Sequence, residues 1–566
     1  RRPYHIVDGV KVPNVEKNGD KYTRQYWDKV PPCVHTRNDI LASQNTVHPV
    51  DNRVFSIREL MLMMSVPDSF EWNYRPFLEL NTMPIEEKRK YLKENGINIR
   101  QNIGEAVPTA IFYQIATKIA KKLNCIFDES KVLEEIDSHK LGDIDTIINY
   151  IRNNNDLGFA NLSKVAEYAN VLREDNEAFY TRPNICYTVV KNLPDASYFK
   201  SLRILEPSVG VGNFLPCIIE KYKSVKEVVI DICDIDSKSI DIVRELLTLV
   251  KIPRNIKINY IVTDFLLHDF LYHYDIVIGN PPYKKLTGSK QLLDKYKCQS
   301  ENKNTNNLFS FFIEKALRCG DYVSLIVPKS LISAPEFNVT RKLMEKYNIM
   351  NIVDFGEKAF KGVKIETISF LVNTTSMSNR TTVESYITNS TCDYAQNYIT
   401  DNHFPYWLIY RDKKFDIVAS KMRLGVFKAF RDRSITKKIT SSNGKIRVLK
   451  SRNIAPNNII SINGYDCYID DVHNFAVGEY LNKQGCILVP NLTYYPRACF
   501  LPNNCICDGS VAILETKEVG VVVTDEDLAY YGTEEFYDFY KIARNRGTRS
   551  LNIDNNSVFF FGLLKK

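Results

Sequence analysis

The sequence lacks the features that mark membrane, fibrous and repeat proteins. No apolar run approaches the ~18 residues needed to cross a membrane, and no secretory signal peptide opens the chain. Internal repeats and low-complexity tracts are also absent. With 44% hydrophobic and 25% charged residues, the composition predicts a soluble globular chain, and the lack of a long apolar run argues against a membrane protein.

Cysteine is present without the signs of a disulfide framework. The thirteen cysteines are scattered, and a chain of 566 residues buries enough core without disulfides. We therefore expect reduced thiols and a cytoplasmic protein. Cys486, Cys499, Cys505 and Cys507 cluster loosely but match no usual zinc spacing, so we expect no metal.

Positive charge is concentrated in one segment of the chain. The formal net charge is only +8, yet residues 411–452 hold 14 Lys and Arg against three Asp and Glu. A concentrated basic segment predicts contact with a polyanion such as DNA phosphates. The alternative is a solvated helical face, which also collects lysines and arginines.

The middle of the chain alternates between strand-like and helical runs. Between about 176 and 385 the candidate strands are RILEP, EVVIDICD, NYIVTD, DIVIGN, YVSLIVP, IMNIVDF and TISFLVN. Nearly continuous apolar strands separated by helices are typical of a parallel, doubly wound sheet. We predict an α/β fold with a Rossmann-like sheet and helices on both faces.

We predict four segments along the chain. Residues 1–125 carry two short blocks considered below, and residues 126–175 have the apolar spacing of a helical connector. The α/β domain covers 176–390. Short mixed elements, many aromatics and the basic segment then predict a separate mixed α+β domain at 391–566.

Two successive strand ends carry groups suited to a nucleoside. The first strand ends at Glu206-Pro207 and is followed by Gly210 and Gly212, and glycines there permit a tight turn and a close backbone approach to a ligand. The second strand ends at Asp234, where a carboxylate can accept hydrogen bonds from both hydroxyls of a ribose.

The third and fourth strand ends add an acid, a ring and an amide. Asp264 and Phe265 follow the third strand; the acid can accept an exocyclic amine, and the ring can stack on adenine. Asn280 ends the fourth strand and is followed by two prolines and Tyr283. No helix or central strand continues through two prolines, so a rigid turn presents one amide and one ring. Each feature alone is explained by a strand end or a loop, but their succession indicates a site.

These motifs together resemble the S-adenosylmethionine-dependent amino-methyltransferases that act on DNA. Asn-Pro-Pro-Tyr is that family's catalytic motif, and Glu-Pro-x-x-Gly-x-Gly is its cofactor motif. FYTRPNICYTVV at 179–190 resembles its Thr-x-Pro motif, and NNLFSFFIEKAL and VSLIVPKSLI match further motifs. The motif order resembles the adenine-N6 subgroup of type II restriction–modification systems, including those that cut outside asymmetric sites.

The resemblance implies a direct methyl transfer to the N6 amine of a flipped adenine, without a metal or a covalent enzyme intermediate. It assigns the two amine hydrogens to Asn280 Oδ1 and the Pro281 carbonyl, the stiff turn to Pro281 and Pro282, and stacking on the base to Tyr283. A second ring is expected from EKAFKGVKIETISF, with Phe360 as the candidate; a core aromatic at a strand edge explains Phe360 equally well.

The resemblance also implies S-adenosylmethionine as the cofactor. The residues that it assigns to cofactor binding are Thr181, Pro183, Glu206, Pro207, Gly210, Gly212, Asp234, Asp264 and Phe265.

Residues 48–72 and 101–123 resemble the last two conserved motifs of a different family, the cytosine-C5 DNA methyltransferases. The match points are Arg53, Arg58-Glu59, Pro67-Asp68 with Phe70, and Gly104 to Pro108, with Glu105 where that family usually has Asn. YWDKVPPCVHTR resembles the end of that family's recognition domain.

C5 activity is not expected from this segment alone. That chemistry needs a cysteine nucleophile in a Pro-Cys-Gln loop and a glutamate, and Cys33 lacks the Gln and precedes the tail motifs. Because the chain opens on Arg1 rather than Met, we favour the C-terminal part of a fused C5/N6 methyltransferase. The alternative is a tail retained as a structural or DNA-facing module.

The region after about 395 is assigned to target recognition. NGKIRVLKSRNIAPNNI resembles the opening of recognition domains in this subgroup, and Tyr494, Tyr495 and Arg497 are candidates for a DNA surface. The expected partners are double-stranded DNA and, functionally, a separate cognate restriction endonuclease. We expect no membrane partner and a monomer, since one strand of an asymmetric site needs no two-fold symmetry.

Several other functions remain open. Cytosine-N4 methylation uses the same amide geometry, although Ser is commoner than Asn for that activity. A combined restriction–methylation enzyme is less favoured, because the Pro67-Asp68 pair falls inside the C5-like motif. A DNA-binding relic without turnover, and methylation of RNA or of protein glutamine, are the remaining alternatives.

Overall fold

The structure is a computed structural model that describes residues 4–13, 23–29, 33–41, 47–122, 127–170, 180–357, 365–377, 379–491, 495–548 and 552–565. The chain forms two compact units, Arg1–Cys125 and Ile126–Lys566, and each is described by itself. Among the described residues, no helix is both long enough and apolar enough to cross a membrane. The four-segment division stays a prediction.

The first unit contains short strands and helices around a small apolar core. Its strands are β1 (Tyr4–Val7), β2 (Val10–Pro13), β3 (Glu71–Trp72) and β4 (Arg75–Pro76). Its helices are α1 (Ile57–Met63), α2 (Phe77–Thr82), α3 (Ile85–Glu94), α4 (Ile99–Glu105) and α5 (Thr109–Lys122). The core residues are Phe55, Leu60, Met61, Met64, Trp72, Phe77, Leu80, Ile99 and Ile103.

Several C5-like match points of this unit have structural roles. Ser56 and Glu59 form a capping box at the start of α1. The Arg53 guanidinium donates to Glu59 at 2.8 Å, and this contact lowers the pKa of Glu59 to about 2. A Cβ added at Gly104 would lie 2.5 Å from backbone atoms of His35, so this position requires glycine. The resemblance to C5 enzymes itself stays a prediction.

The second unit opens with three helices, as the apolar spacing of this segment predicts. They are α6 (Glu129–His139), α7 (Ile144–Asn153) and α8 (Gly158–Ala169). Asp128 caps α6 by accepting from Lys131 N, and Asp143 caps α7 by accepting from Asp145 N and Thr146 N.

A large sheet follows, interleaved with helices. The strands are β5 (Ser201–Glu206), β6 (Glu227–Asp234), β7 (Ile256–Val262), β8 (Tyr274–Gly279), β9 (Gly320–Pro328), β10 (Asn348–Gly356), β11 (Thr367–Asn373), β12 (Arg380–Ser385) and β13 (Ser390–Ala395). The helices are α9 (Pro183–Asn192), α10 (Leu215–Tyr222), α11 (Ser237–Leu246), α12 (Lys290–Gln299), α13 (Leu308–Cys319), α14 (Asn338–Met344) and α15 (Gln396–Ile399). All seven predicted strands are present.

The strand order is β13-β12-β10-β11-β9-β8-β5-β6-β7. Strands β7, β6, β5, β8 and β9 run parallel to their neighbours in this order, so their carboxyl ends share one edge of the sheet. Central strands such as β8 are buried over nearly their whole length, which requires packing against both faces. This confirms the predicted α/β class and doubly wound sheet.

Two strands of the sheet run antiparallel to a neighbour, namely β13 to β12 and, among the seven predicted strands, β11. Strand β11 is antiparallel to both β9 and β10, and the sheet is therefore mixed. The physical reason is the short connection between β10 and β11, because a parallel crossover needs a dozen or more residues and usually a helix.

The C-terminal part of the second unit has smaller sheets and its own apolar clusters. Its strands are β14 (Met422–Arg423), β15 (Phe427–Phe430), β16 (Ile446–Leu449), β17 (Ile454–Ala455), β18 (Asn458–Ile459), β19 (Cys467–Ile469), β20 (Ile487–Pro490), β21 (Cys499–Phe500), β22 (Cys505–Cys507), β23 (Val511–Thr516) and β24 (Leu563–Leu564). Its helices are α16 (Lys413–Lys421), α17 (Asp525–Tyr530) and α18 (Glu534–Ala543). The main sheets have the orders β15-β23-β20-β21 and β19-β16-β22, which is the predicted mixed α+β character.

Candidate active site

A cavity of about 300 Å³ lies at the carboxyl edge of the large sheet. In open α/β sheets this edge is where ligands bind. The cavity brings together nine predicted site residues, namely Thr181, Glu206, Pro207, Gly210, Asp234, Asp264, Phe265, Asn280 and Pro282.

The turn after β5 depends on two glycines in left-handed backbone conformations. Gly210 has φ +54° and Gly212 has φ +75°, a region that other residues avoid. A Cβ at Gly212 would lie 2.8 Å from Leu215 Cδ1, whereas a Cβ at Gly210 would meet only Glu167 Oε2, at 3.8 Å. Gly212 is therefore needed for packing, and Gly210 keeps the turn open toward the cavity.

The carboxylate of Asp234 is fixed by the glycine turn. Gly210 N donates to Asp234 Oδ2 at 2.9 Å, and Asp236 N donates to Oδ1 at 3.0 Å. Burial nevertheless raises the pKa of Asp234 to about 6, since the two backbone donors only partly offset desolvation.

Glu206 is the more deeply buried acid of the cavity. It is 1% exposed, and burial together with the nearby Asp234 raises its pKa well above the usual range. Within the described residues, Glu206 Oε2 has no hydrogen-bond partner. Such an oxygen on a cavity wall suits a ligand that donates a hydrogen bond.

Asp264 and Phe265 form the wall beyond β7. Leu266 N donates to Asp264 Oδ1 at 2.9 Å, and the Tyr296 hydroxyl donates to Oδ2 at 2.8 Å. The Phe265 ring packs against Phe312 with centroids 5.0 Å apart. The acid is thus held in place, and the two rings give this end of the cavity an apolar surface.

Asn280 is oriented by a residue from outside the sheet. Its Nδ2 donates to Thr181 Oγ1 at 3.1 Å, and Ser208 Oγ donates to the Asn280 carbonyl at 3.3 Å. Because the amide nitrogen faces Thr181, the amide oxygen faces a different direction. Thr181 precedes α9, which begins with Pro183 in its first turn.

Some predicted residues lie elsewhere. Pro183, Gly212, Pro281 and Tyr283 do not line the cavity. Tyr283 is 4% exposed and packs edge-on to Phe309, and the two prolines fix it there. Phe360 and Tyr494 lie outside the described residues. The predicted roles of all these residues stay predictions.

The cavity residues that the sequence motifs missed include Glu167, Asn170, Lys284 and Tyr296. Glu167 and Asn170 belong to the end of α8, which the sequence identifies only as a connector. Tyr296 lies on α12, and its position became evident only from its hydrogen bond to Asp264. No spacing rule links Glu167, Asn170 or Tyr296 to the glycine motif, whereas Lys284 directly follows Tyr283 and could have been included.

The basic segment is partly neutralised by acids that the fold brings to it. In the described part of the chain, five of its 14 basic residues form ion pairs with acids: Arg411, Lys421, Arg423, Lys428 and Arg447. Arg433, Lys437, Lys438, Lys445 and Arg452 are exposed and form no ion pair within that part. The surface charge is smaller than the composition predicts, yet it remains positive there.

The described residues contain no group of three or more His, Cys, Asp or Glu side chains that could hold a metal ion. Tyr495 stacks on Tyr537 with centroids 4.9 Å apart and is 67% exposed. Arg497 donates to the Ile454 carbonyl at 2.6 Å, so part of its guanidinium stabilises its own loop.

The fold and the cavity define a class of protein. A doubly wound sheet with a glycine turn, strand-end carboxylates and aromatic rings at its carboxyl edge is a nucleoside-binding α/β domain. The open face of Gly210, the acidic lining and the Glu206 oxygen that has no partner within the described residues fit a nucleoside that donates hydrogen bonds.

Comparison with known proteins indicates a more specific class than nucleoside binding. Residues 233–360 match the family model described as "Eco57I restriction-modification methylase", which confirms the resemblance to restriction–modification methyltransferases for that segment. A methylase needs a methyl donor, and the match supports S-adenosylmethionine in this role.

Two curated relatives are described as type II methyltransferases. The chain is 25% identical over 202 residues to the type II methyltransferase M.CvrRI of Paramecium bursaria Chlorella virus XZ-6E, covering 35% of this chain and 49% of that protein. It is 31% identical over 118 residues to the type II methyltransferase M1.HgaI of Avibacterium volantium, covering 18% and 28%. The chain therefore spans half or less of the length of these relatives.

One solved structure similar to this chain is the type IIL restriction-modification enzyme MmeI in complex with DNA. The identity is 11%, the TM-score is 0.42, and the alignment covers 89% of this chain and 79% of that one.

Proposed function

We propose that the protein is a site-specific DNA methyltransferase of a type II restriction–modification system, which methylates the N6 amine of a flipped adenine. The observation that carries this proposal is the position of Asn280. It lies at the carboxyl end of β8, in the same cavity as the glycine turn and the strand-end acids, with its amide oriented by Thr181.

The cavity residues divide between cofactor and target. Asp234 would hold a ribose, Asp264 and Phe265 an adenine, and Glu206 and Thr181 the remainder of the cofactor. S-adenosylmethionine supplies an electrophilic methyl group on a sulfonium when it is bound. The chain's task is to align an acceptor with that group and to exclude water.

Asn280 and Pro281 would prepare the acceptor amine. The amine is a poor nucleophile, because its lone pair is delocalised into the ring. Hydrogen bonds from its two hydrogens to Asn280 Oδ1 and to the Pro281 carbonyl would localise the lone pair on nitrogen. The bond from Asn280 Nδ2 to Thr181 fixes the amide before binding, so no reorientation is needed.

A base can reach this cavity only outside the duplex, and its extrusion costs a few kcal/mol. Tyr283 would stack on the flipped base, as the resemblance implies. Since Tyr283 is buried in this structure, stacking requires the base to enter beside it or the ring to turn.

The exposed cations of the C-terminal part would hold DNA phosphates. Arg433, Lys437, Lys438, Lys445 and Arg452 supply positive charge beside the small sheets. Double-stranded DNA is the proposed substrate, and a separate restriction endonuclease is the proposed functional partner of a cytoplasmic monomer.

The test is methyl transfer from isotope-labelled S-adenosylmethionine into unmethylated genomic DNA, followed by digestion to nucleosides and chromatography. Total RNA serves as the matched acceptor. We expect label only in N6-methyladenine nucleosides of DNA. Label in N4-methylcytosine would retain the mechanism and change the base, which Asn280 in place of Ser disfavours. Label in RNA alone, or no label, would contradict the proposed function.

A further inference from the structure

One wall of the cofactor cavity does not come from the sheet. Glu167 and Asn170, at the carboxyl end of α8, line the cavity together with the glycine turn. Neither the motifs nor the family match, which begins at residue 233, assigns a role to this helix.

Helix α8 is fixed rigidly against the glycine turn. Its Leu162, Val165 and Ala166 share one apolar core with Val211 of the turn and with Ile242 of α11. A tightly packed core of this kind resists displacement. The helix therefore lies in a defined position beside the cavity.

Hydrogen bonds and an ion pair also hold α8 and its neighbouring helices in place. Asn170 Nδ2 donates to Asp236 Oδ2 at 3.4 Å, and Arg152 of α7 pairs with Glu245 of α11 at 2.7 Å. The Tyr180 hydroxyl donates to the Ala160 carbonyl at 3.0 Å, which connects the residue next to Thr181 to α8.

Glu167 is the acid that this helix brings to the cavity. It is 8% exposed, and its Oε2 lies 3.8 Å from the position that a Cβ on Gly210 would take. The carboxylate therefore faces the open side of the glycine turn. A larger residue at position 210 would enter the space in front of it.

The strand order indicates which part of the cofactor meets this wall. Asp264, Asp234, Glu206 and Asn280 follow the neighbouring strands β7, β6, β5 and β8. With adenine at Asp264 and ribose at Asp234, the methionine end extends over β5, toward the glycine turn. A zwitterionic methionine end carries an ammonium, which requires a carboxylate when it is taken out of water.

The charge of the lining agrees with a cationic ligand. The acidic residues of the cavity are Glu167, Glu206, Asp234, Asp236 and Asp264, and the basic one is Lys284. Burial raises the pKa of Glu206 and favours its neutral form, but the other four acids still outnumber Lys284, and such a cavity attracts a ligand that carries a sulfonium and an ammonium.

We propose that Glu167 is a cofactor-binding residue whose carboxylate accepts hydrogen bonds from the α-ammonium of S-adenosylmethionine. The three-helix segment of 127–170 is then part of the cofactor site, and not only a connector. This proposal rests on the proposed function, since it takes S-adenosylmethionine as the ligand.

Isothermal titration calorimetry of the full chain tests it with three ligands. S-adenosylmethionine carries the ammonium and the sulfonium, S-adenosylhomocysteine carries only the ammonium, and 5′-methylthioadenosine carries neither. The variants are Glu167→Gln and, as the control, Glu134→Gln. Glu134 is an exposed acid on α6 that does not line the cavity.

We expect Glu167→Gln to lower the affinity for S-adenosylmethionine and for S-adenosylhomocysteine at least about tenfold, as for loss of a charged hydrogen bond. Its affinity for 5′-methylthioadenosine should equal that of the wild type, and Glu134→Gln should bind all three ligands normally. Equal weakening of all three ligands would show that Glu167 only supports the fold, and would overturn the proposal.

Weakening of S-adenosylmethionine alone would place the carboxylate at the sulfonium, and would also overturn the assignment. Normal binding of every ligand by Glu167→Gln would exclude any cofactor contact. If the wild type binds none of the three, the proposed function fails, which is a distinct result from a failure of Glu167 alone.

Discussion

Replacing Lys329 with Met is expected to destabilise the second unit by about 3–5 kcal/mol. Lys329 follows β9, and its Nζ lies 2.6 Å from Asp354 Oδ2 and 3.7 Å from Glu366 Oε1. The three side chains are only 6%, 0% and 5% exposed. Removing the ammonium takes one cation away from two buried carboxylates, so their desolvation is offset less well.

A second pair in the same unit isolates the effect of burial. Lys421 Nζ lies 2.6 Å from Glu535 Oε1, the same separation as in the buried pair, but both side chains are 44% exposed. Lys421→Met should therefore cost about 0–1 kcal/mol. Because the two distances are equal, the difference in destabilisation between the two variants measures how much burial contributes.

The assay is urea unfolding followed by the fluorescence of Trp407, which is buried in the second unit. Replacing Trp27 and Trp72 with Phe removes the signal of the first unit, because a protein of two units need not unfold in one step. The double variant Lys329→Met with Asp354→Asn removes one uncompensated charge. We expect it to be less destabilised than the sum of the two single variants, with a coupling of about 0.5–3 kcal/mol.

Two outcomes would contradict this prediction. If Lys329→Met and Lys421→Met lower the free energy of unfolding equally, burial does not decide the strength of these pairs. The prediction would also be contradicted if the losses of unfolding free energy in Lys329→Met and Asp354→Asn simply added in the double variant, since the two charges would then not interact.

Three further predictions concern the cavity and the charged surface. Gly212→Ala should cost about 1–2 kcal/mol for its left-handed backbone plus about 1–3 kcal/mol for overpacking, measured by urea unfolding. Gly210→Ala should lower the free energy of unfolding only by the backbone contribution, but it should also lower cofactor affinity. A larger loss of stability than in Gly212→Ala would contradict the geometry. Because burial raises the pKa of Asp234 to about 6, cofactor affinity should fall about tenfold per pH unit below 6 by calorimetry, and Asp234→Asn should flatten the profile. The sign for stability is opposite, since a raised folded-state pKa means that the ionised carboxylate destabilises the unliganded fold above about pH 6, and this cost disappears as pH falls. Replacing Lys437 and Lys438 with Ala should reduce the slope of log affinity for DNA against log salt by about 0.9 for each phosphate that is no longer neutralised, and an unchanged slope would remove them from the DNA surface.

Much of the fold could be predicted because its signals are local. The strands β6 and β11 have the bounds of the apolar runs EVVIDICD and TISFLVN, since continuous apolar runs mark buried strands. The antiparallel direction of β11 was not predicted, because apolar composition carries no information about strand direction. Only the length of the preceding connection held a clue.

The site was predictable where residues at the strand ends carry it. Asp234 and Asn280 follow apolar runs directly, and parallel strands necessarily bring such positions to one edge. Glu167 could not be found in this way, because it reaches the cavity through packing of α8 on α11. The ion pairs of the basic segment could not be predicted either, since acidic partners such as Glu515 and Glu535 lie many residues away in the sequence.

The most direct test of the proposed catalytic role of Asn280 is single-turnover methyl transfer to DNA by Asn280→Ala, together with its cofactor affinity by calorimetry. Asn402→Ala, an exposed asparagine outside the cavity, is the matched control. For Asn280→Ala we expect normal cofactor binding and a loss of about 10²–10³-fold in the rate of transfer, as for removal of a preorganised polar group, whereas the control should be unaffected. Transfer at the wild-type rate by Asn280→Ala would contradict the proposed role of Asn280, because the reaction would then occur elsewhere.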